Sequence, residues 1–144
     1  MMEPTWVVVA ESSRARIFVL EGLQSPLREV EDLVNPEARA HERDLISDRQ
    51  GRTIDSSGGR RHAKQPEVSP KEQRVIDFAR SVAERVEQGR TQGVFKRLIL
   101  VAAPEFLGLL RANLGDAARQ CIMREIHKNL VRKDEQTIRA SLKL

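Results

Sequence analysis

The sequence predicts an α/β fold: a single three-layer domain over residues 1–144, in which a mixed five-stranded sheet has helices packed on it. Three observations predict this fold. Short apolar segments follow one another at the start of the chain, as in an antiparallel meander. Amphipathic helical segments occur after residue 69, and a buried strand separates two of them. The order strand, helix, strand, helix implies a parallel crossover that packs helices on the sheet.

Three strands are predicted before residue 35. Residues 5–10 are a continuous β-branched and apolar run, which is typical of a strand buried on both faces. Residues 16–20 form a second strand, hairpinned to the first through the polar turn 11–13. Residues 27–34 are more polar and alternate imperfectly. This favours an edge position, because charges on an edge strand deter stray pairing.

The first long helix has a clear start signal. Ser69 and Glu72 match a capping box, and Pro70 takes the first helical position. We expect Gly89 or Gly93 to end the helix. Its predicted apolar stripe consists of Val75, Phe78, Ala79, Val82, Ala83 and Val86.

Residues 97–103 predict a buried strand, after which Pro104 begins a second helix that Gly115 ends. Residues 121–131 are ambiguous. Their apolar residues recur every fourth position, which favours helix, whereas the preceding helix favours a fifth strand, and we predict the strand. Asp134 is expected to cap a short C-terminal helix. The helix that begins at Pro104 has a predicted apolar stripe that consists of Phe106, Leu107, Leu109, Leu110 and Leu114.

Composition excludes several function classes. The chain is 40% hydrophobic and 32% charged, as in soluble globular proteins, and only 3% aromatic with no tyrosine. The core must therefore be aliphatic, and stacking of bases on aromatic platforms is disfavoured. Cys121 is the only cysteine, which excludes an intramolecular disulfide and a cysteine zinc site. No segment has the pattern of a signal peptide or the length of a membrane span, so we expect a cytoplasmic protein.

Residues 35–69 form the longest stretch without apolar periodicity and predict a long basic loop. Between residues 49 and 64 the net charge is +4, which equals the formal net charge of the whole chain. A solvated surface loop with mixed ion pairs is one interpretation. The other is an arm that binds an anion, most plausibly nucleic acid.

Adjacent glycines within this loop permit close approach of the backbone to a ligand, and the arginines offer planar, bidentate donors for phosphate. We therefore predict a nucleic-acid-binding site with structured RNA or the ribosome as the partner. Its predicted residues are Arg49, Arg52, Gly58, Gly59, Arg60, Arg61, His62 and Lys64.

A catalytic alternative is metal-dependent phosphodiester cleavage. Glu11 lies at a strand end, and Asp32, Asp44 and Asp48 could converge on it, although their spacing does not force convergence. The three histidines, His41, His62 and His127, lack the spacing of a ligand pair, so no metal site is predicted. We also find no nucleophile elbow and no P-loop, and we predict neither a cofactor nor a catalytic residue.

Four segments of the chain resemble the bacterial host attachment protein family, which is described as required for attachment to host cells. They are residues 8–18, 33–52, 59–63 and 97–111, and they follow in the expected order. That family is similar to the middle domain of archaeo-eukaryotic peptide release factors, which implies a release-factor-like α/β sheet. In release factors a Gly-Gly-Gln tip performs peptide release. Here Arg60 follows Gly58 and Gly59, so the resemblance does not imply hydrolysis.

Three functional hypotheses follow from these observations. The first is a non-enzymatic, cytosolic RNA- or ribosome-associated domain that uses the basic loop. The second is a factor that promotes bacterial attachment to host cells, directly or by regulation. The third is the metal-dependent nuclease.

Overall fold

The structure, a computed structural model, describes residues 3–36 and 68–144. Within these ranges there are five strands and four helices. The strands are β1 (Thr5–Ala10), β2 (Arg14–Leu20), β3 (Arg28–Val34), β4 (Arg97–Val101) and β5 (Ile122–Ile126). The helices are α1 (Pro70–Thr91), α2 (Pro104–Asn113), α3 (Asp116–Cys121) and α4 (Glu135–Leu142).

The strands form one mixed sheet in the order β3-β2-β1-β4-β5. The first three strands pair antiparallel, as predicted for a meander, and β3 takes the predicted edge position. β1 pairs parallel with β4, and β4 pairs parallel with β5. The predicted α/β fold with a mixed five-stranded sheet is therefore confirmed.

The central strand β1 dictates the layering because all six of its residues are buried. Successive side chains of a strand point to opposite faces. Trp6 and Val8 pack into a cluster with α1, α2 and α3, whereas Val7 and Val9 pack into a second cluster on the other face. Ile138 of α4 belongs to that second cluster. Helices therefore cover both faces of the sheet and make three layers.

Helix α1 begins as the sequence predicts. The Ser69 hydroxyl accepts a hydrogen bond from the Glu72 amide at 3.1 Å, and the Glu72 carboxylate accepts one from the Ser69 amide at 3.0 Å. The helix ends at Thr91, and Gly93 lies just beyond it with φ +74°. The Gly93 and Val94 amides donate to carbonyls of the last turn, in the geometry of a Schellman motif.

Several predicted boundaries are wrong by a few residues. β2 begins at Arg14 and not at Arg16, β3 begins one residue later than predicted, and β4 ends at Val101. The fifth strand is confirmed within residues 121–131 but spans only Ile122–Ile126. The prediction missed helix α3, a short element that buries only Ala118. Gly115, predicted to end α2, is instead the N-cap of α3.

The predicted helical stripes are largely buried. Five of the six predicted α1 positions are buried, while Val75 is half-buried against the same cluster. In α2, Leu109 is likewise half-buried and the other predicted positions are buried. In the described ranges, no helix combines the length and the apolar character needed to cross a lipid bilayer.

Gly89 gives the first testable prediction, because it faces the indole of Trp6. A Cβ at this position would lie 2.6 Å from Cη2 and 2.8 Å from Cζ3 of the ring. Overpacking of a core costs about 1–3 kcal/mol, whereas replacing a helical glycine with alanine gains about 1 kcal/mol. We expect Gly89→Ala to lower the free energy of unfolding by up to about 2 kcal/mol.

Gly108 in α2 is the matched control, because a Cβ there would meet no atom within 4 Å. Gly108→Ala is expected to raise the free energy of unfolding by up to about 1 kcal/mol. Urea unfolding of both variants measures the difference. Equal stabilisation by the two substitutions would contradict the packing described for Trp6.

Candidate functional site

The carboxyl edge of the sheet gathers the polar groups that were candidates for chemistry. β1, β3, β4 and β5 run in one direction, so their carboxyl ends lie at the same edge. In open α/β sheets ligands bind at this edge. β1 and β3 end here at Ala10 and Val34, and the polar turn from Glu11 to Ser13 follows β1.

Asn35 fastens the start of the predicted loop to this edge. Its amide nitrogen donates to the Ser13 carbonyl at 2.9 Å, and its side-chain amide donates to the Ser12 carbonyl at 3.1 Å. The same side chain donates to the Arg74 carbonyl in the first turns of α1 at 3.5 Å. The chain therefore enters and leaves residues 37–67 close to the carboxyl edge.

The eight residues predicted to bind nucleic acid lie outside the described residues. The same holds for His41, Asp44 and Asp48. The predicted binding residues concerned are Arg49, Arg52, Gly58, Gly59, Arg60, Arg61, His62 and Lys64.

Glu11 is half-buried and fully engaged in hydrogen bonds. Its Oε1 accepts from the side-chain amide of Asn129 at 2.9 Å, and its Oε2 accepts from the Ser13 hydroxyl at 2.7 Å. Burial by itself raises the pKa of Glu11. The two hydrogen bonds and the positive charges of Arg132 and Arg14 outweigh that effect, so its pKa is lowered. Glu11 is consequently ionised at neutral pH. It is suited to hold Ser13 and Asn129 in place rather than to accept protons.

Asp32, the second carboxylate of the nuclease hypothesis, is paired with Arg14. The guanidinium binds both carboxylate oxygens, at 3.0 and 2.7 Å, and this hydrogen bonding lowers the pKa of Asp32. Glu11 and Asp32 thus have separate partners. Across residues 3–36 and 68–144, no three His, Cys, Asp or Glu side chains are grouped as a metal site would require.

His127 and Cys121 have local partners. His127 is exposed, with Nε2 4.0 Å from Oε1 of Glu125, whose carboxylate also accepts two hydrogen bonds from Arg111 at 3.0 Å. The Cys121 thiol is half-buried and donates to the Ala117 carbonyl at 3.5 Å.

The turn at residues 127–133, between β5 and α4, is the feature that sequence reasoning missed. The guanidinium of Arg16 donates from Nη1 to the carbonyls of Val131 and Lys133, at 2.9 and 2.8 Å. The same guanidinium binds both carboxylate oxygens of Glu29 at 3.1 and 2.9 Å. The two contacts with the turn join residues more than 100 positions apart in the chain, so no local sequence pattern could reveal them.

A cleft of about 590 Å³ lies at the opposite, amino edge of the sheet, between β3 and the end of α1. Trp6 forms part of its wall, and the Arg85 guanidinium lies 5.1 Å from the indole centre. Both oxygens of Glu31 accept from Nε of Arg85, at 2.8 and 3.0 Å. The charges that border this cleft therefore neutralise each other.

Comparison with known proteins identifies a family for most of the chain. The profile described as "Protein required for attachment to host cells" matches residues 6–142. An uncharacterized protein of Rickettsia prowazekii (strain Madrid E) is 32% identical over 76 residues. That alignment covers 51% of this chain and 51% of the relative.

Comparison with solved structures concerns the fold. The crystal structure of an archaeal translation termination factor superimposes with a TM-score of 0.53 and 14% sequence identity. It covers 98% of this chain and 35% of that protein, so this chain spans about a third of the factor's length. A second structure, described only as an archaeal protein, gives a TM-score of 0.48 at 15% identity. It covers 95% of this chain and 35% of that one.

The lowered pKa of Glu11 gives a prediction about acid stability. A carboxyl group with a lowered pKa in the folded state stabilises the fold above its ordinary value, which is 4.5 for Glu11. That stabilisation is lost as the pH falls from there through the lowered pKa. We expect the free energy of unfolding of Glu11→Gln to fall less than that of wild type as the pH is lowered below about 5.

Asn129→Ala supplies the matched test, because it removes one of the hydrogen bonds that lower the pKa of Glu11. We expect Asn129→Ala also to weaken the dependence of the free energy of unfolding on acid pH, but by less than Glu11→Gln does. Thermal unfolding between pH 3 and pH 7 measures both profiles. If both variants lose stability at acid pH as wild type does, this role of Glu11 is ruled out.

Proposed function

This chain belongs to the family of proteins required for attachment to host cells, and we propose that it is a non-enzymatic RNA- or ribosome-associated domain of the cytoplasm. The observation that carries the proposal is the charge of residues 49–64. Their net charge of +4 equals that of the entire chain, so the remaining residues sum to zero. A compact concentration of arginine and lysine is the electrostatic footprint of a phosphate-binding protein.

Two further observations support an RNA partner. The described residues on both sides of the loop meet at the carboxyl edge of the sheet, where Asn35 donates hydrogen bonds to the Ser12, Ser13 and Arg74 carbonyls. The fold is also shared with an archaeal translation termination factor, a protein of the translation machinery by name. In our proposal residues 1–144 act as one domain whose long basic loop at 35–69 contacts ribosomal RNA.

The proposed contacts follow from the chemistry of the side chains. Arginine guanidinium groups bind phosphate oxygens in a bidentate manner, and glycines let the backbone approach the ribose-phosphate chain. We do not propose peptidyl hydrolysis, because Arg60 follows the glycine pair where the release-factor tip has glutamine. The residues proposed to make these contacts are Arg49, Arg52, Gly58, Gly59, Arg60, Arg61, His62 and Lys64.

The family description favours a second role, in attachment to host cells. A domain that binds ribosomes can influence attachment indirectly, by controlling the synthesis of surface proteins. The two roles are separable by complementing a deletion strain with the Arg60→Ala/Arg61→Ala variant. Restored attachment by a variant that no longer binds ribosomes would separate attachment from RNA binding.

Co-sedimentation with purified bacterial ribosomes across a salt series tests the proposed function. We expect wild-type binding to weaken steeply with salt, because each neutralised phosphate adds about 0.7–0.9 to the slope of log affinity against log salt concentration. The Arg60→Ala/Arg61→Ala variant should lower that slope by about 1.5 and bind about tenfold less tightly or worse.

Lys96→Ala/Arg97→Ala is the charge-matched control. Both side chains are exposed at the amino end of β4, on the edge of the sheet opposite the carboxyl edge. This variant should bind like wild type. Absence of wild-type co-sedimentation at low salt, or equal binding by the Arg60/Arg61 variant, would refute the proposed function.

A further inference from the structure

We propose that the turn at residues 127–133 is a second phosphate-binding surface and contacts the same structured RNA through Lys128 and Arg132. This inference rests on the proposed function and adds a contact surface outside the basic loop.

Burial of two apolar residues directs the cations of the turn outward. Leu130 is 8% exposed and Val131 is fully buried, and both belong to the cluster that contains α4. Lys128 and Arg132 flank this buried pair and are exposed. The apolar anchors therefore fix the turn on the sheet while its charged side chains face solvent.

Hydrogen bonds hold the backbone of the turn at several points. Arg16 donates to the carbonyls of Val131 and Lys133, and the side-chain amide of Asn129 donates to Glu11. The Asn129 side-chain oxygen also accepts from the Val131 amide at 3.2 Å, and the Lys133 amide donates to the Leu130 carbonyl at 3.0 Å. A surface held in this way loses little conformational entropy when it binds a partner.

Arg132 is unlike most arginines of the described residues. Arg14, Arg85 and Arg111, for example, donate hydrogen bonds to carboxylates. Within residues 3–36 and 68–144, Arg132 forms no hydrogen bond and no ion pair, although its charge acts on Glu11 over a longer range. Its guanidinium is therefore available to a phosphate without the loss of an internal hydrogen bond.

Two carboxylates beside the turn already have partners. Glu11 accepts from Asn129 and Ser13, and Asp134 accepts from the Thr137 amide at 2.8 Å as the N-cap of α4. These groups reduce the local positive potential. They leave the donors of Lys128 and Arg132 free to bind an anion, and the turn lies on the same edge as the ends of the basic loop.

The surface chemistry of the turn favours RNA over a protein partner. Its apolar residues are buried, so the exposed surface offers ammonium, guanidinium, imidazole and amide groups without an apolar anchor. Protein interfaces depend on buried aromatic or apolar anchors and are depleted in lysine. Phosphate recognition uses exposed lysine and arginine.

The test compares Lys128→Ala/Arg132→Ala with the Lys96→Ala/Arg97→Ala control, in the full chain, with purified bacterial ribosomes and with naked ribosomal RNA as probes. We expect the turn variant to lower the salt slope by about 1.5 and to weaken binding to both probes about tenfold. Charge reversal, with Lys128→Glu and Arg132→Glu, should weaken binding further. Thermal unfolding of each variant confirms that the fold is intact.

The outcomes separate this inference from the proposed function. If wild type binds, Arg60→Ala/Arg61→Ala loses binding and the turn variants bind like wild type, the turn is not a contact and the proposed function stands. If the turn variants lose binding to ribosomes but not to naked RNA, the turn contacts ribosomal protein and the inference is wrong. If wild type binds neither probe, the proposed function is wrong, and the inference that rests on it is wrong as well.

Discussion

Complete burial of β1 is the constraint on which the rest of the structure depends. All six residues of this strand are buried, so the sheet needs apolar cover on both faces. On one face α1, α2 and α3 supply a large cluster that includes Trp6 and Phe106. On the other face the described cover is thinner, since α4 has only eight residues and contributes Ile138 and Leu142. The residues of the β5–α4 turn must complete that layer.

Arg16 supplies the additional attachment that the thinner layer requires. Its guanidinium is almost completely buried, lies 5.0 Å from the ring centre of Phe18 and binds Glu29 through both carboxylate oxygens. Burying a charge is costly unless its donors are satisfied, and with the two carbonyls of the turn every nitrogen of the guanidinium donates a hydrogen bond. One side chain therefore joins the edge strand β3, the strand β2 and the turn that covers the second face. A rigid turn at the carboxyl edge is a consequence of how the core is closed.

Local signals in the sequence predict the elements better than their partners in space. The capping box at Ser69 is confirmed because its two hydrogen bonds join residues three apart. The fifth strand is confirmed, although the spacing of Ile122 and Ile126 fits a helix equally well, because its parallel pairing with β4 overrides the local pattern. Helix α3 was missed because a six-residue element that buries only Ala118 has no apolar stripe to detect.

The candidate site was less predictable than the fold, for the same physical reason. The basic loop is visible in the sequence because its charges are adjacent, whereas its contacts remain a prediction. The sequence around Arg132 does not indicate a binding role, since an isolated arginine in a mixed segment is normally a solvated residue. Its significance depends on Arg16, 116 positions earlier, and on Asn129, whose partner Glu11 lies 118 positions away. Such pairings are set by the topology of the sheet and have no sequence period.

The described side chains at the carboxyl edge fit the proposed recognition of an anion better than metal-dependent chemistry. Glu11 and Asp32 are ionised, but each is bonded to side chains that hold the structure together, and their separate partners keep them from forming a metal site. A nuclease would need these carboxylates to converge on an open position. The opposite arrangement, with carboxylates bonded within the protein and cations exposed, is typical of a surface that binds a polyanion. The chain belongs to the family of proteins required for attachment to host cells and shares its fold with an archaeal translation termination factor, and the RNA-binding edge proposed above would connect these two findings through gene expression.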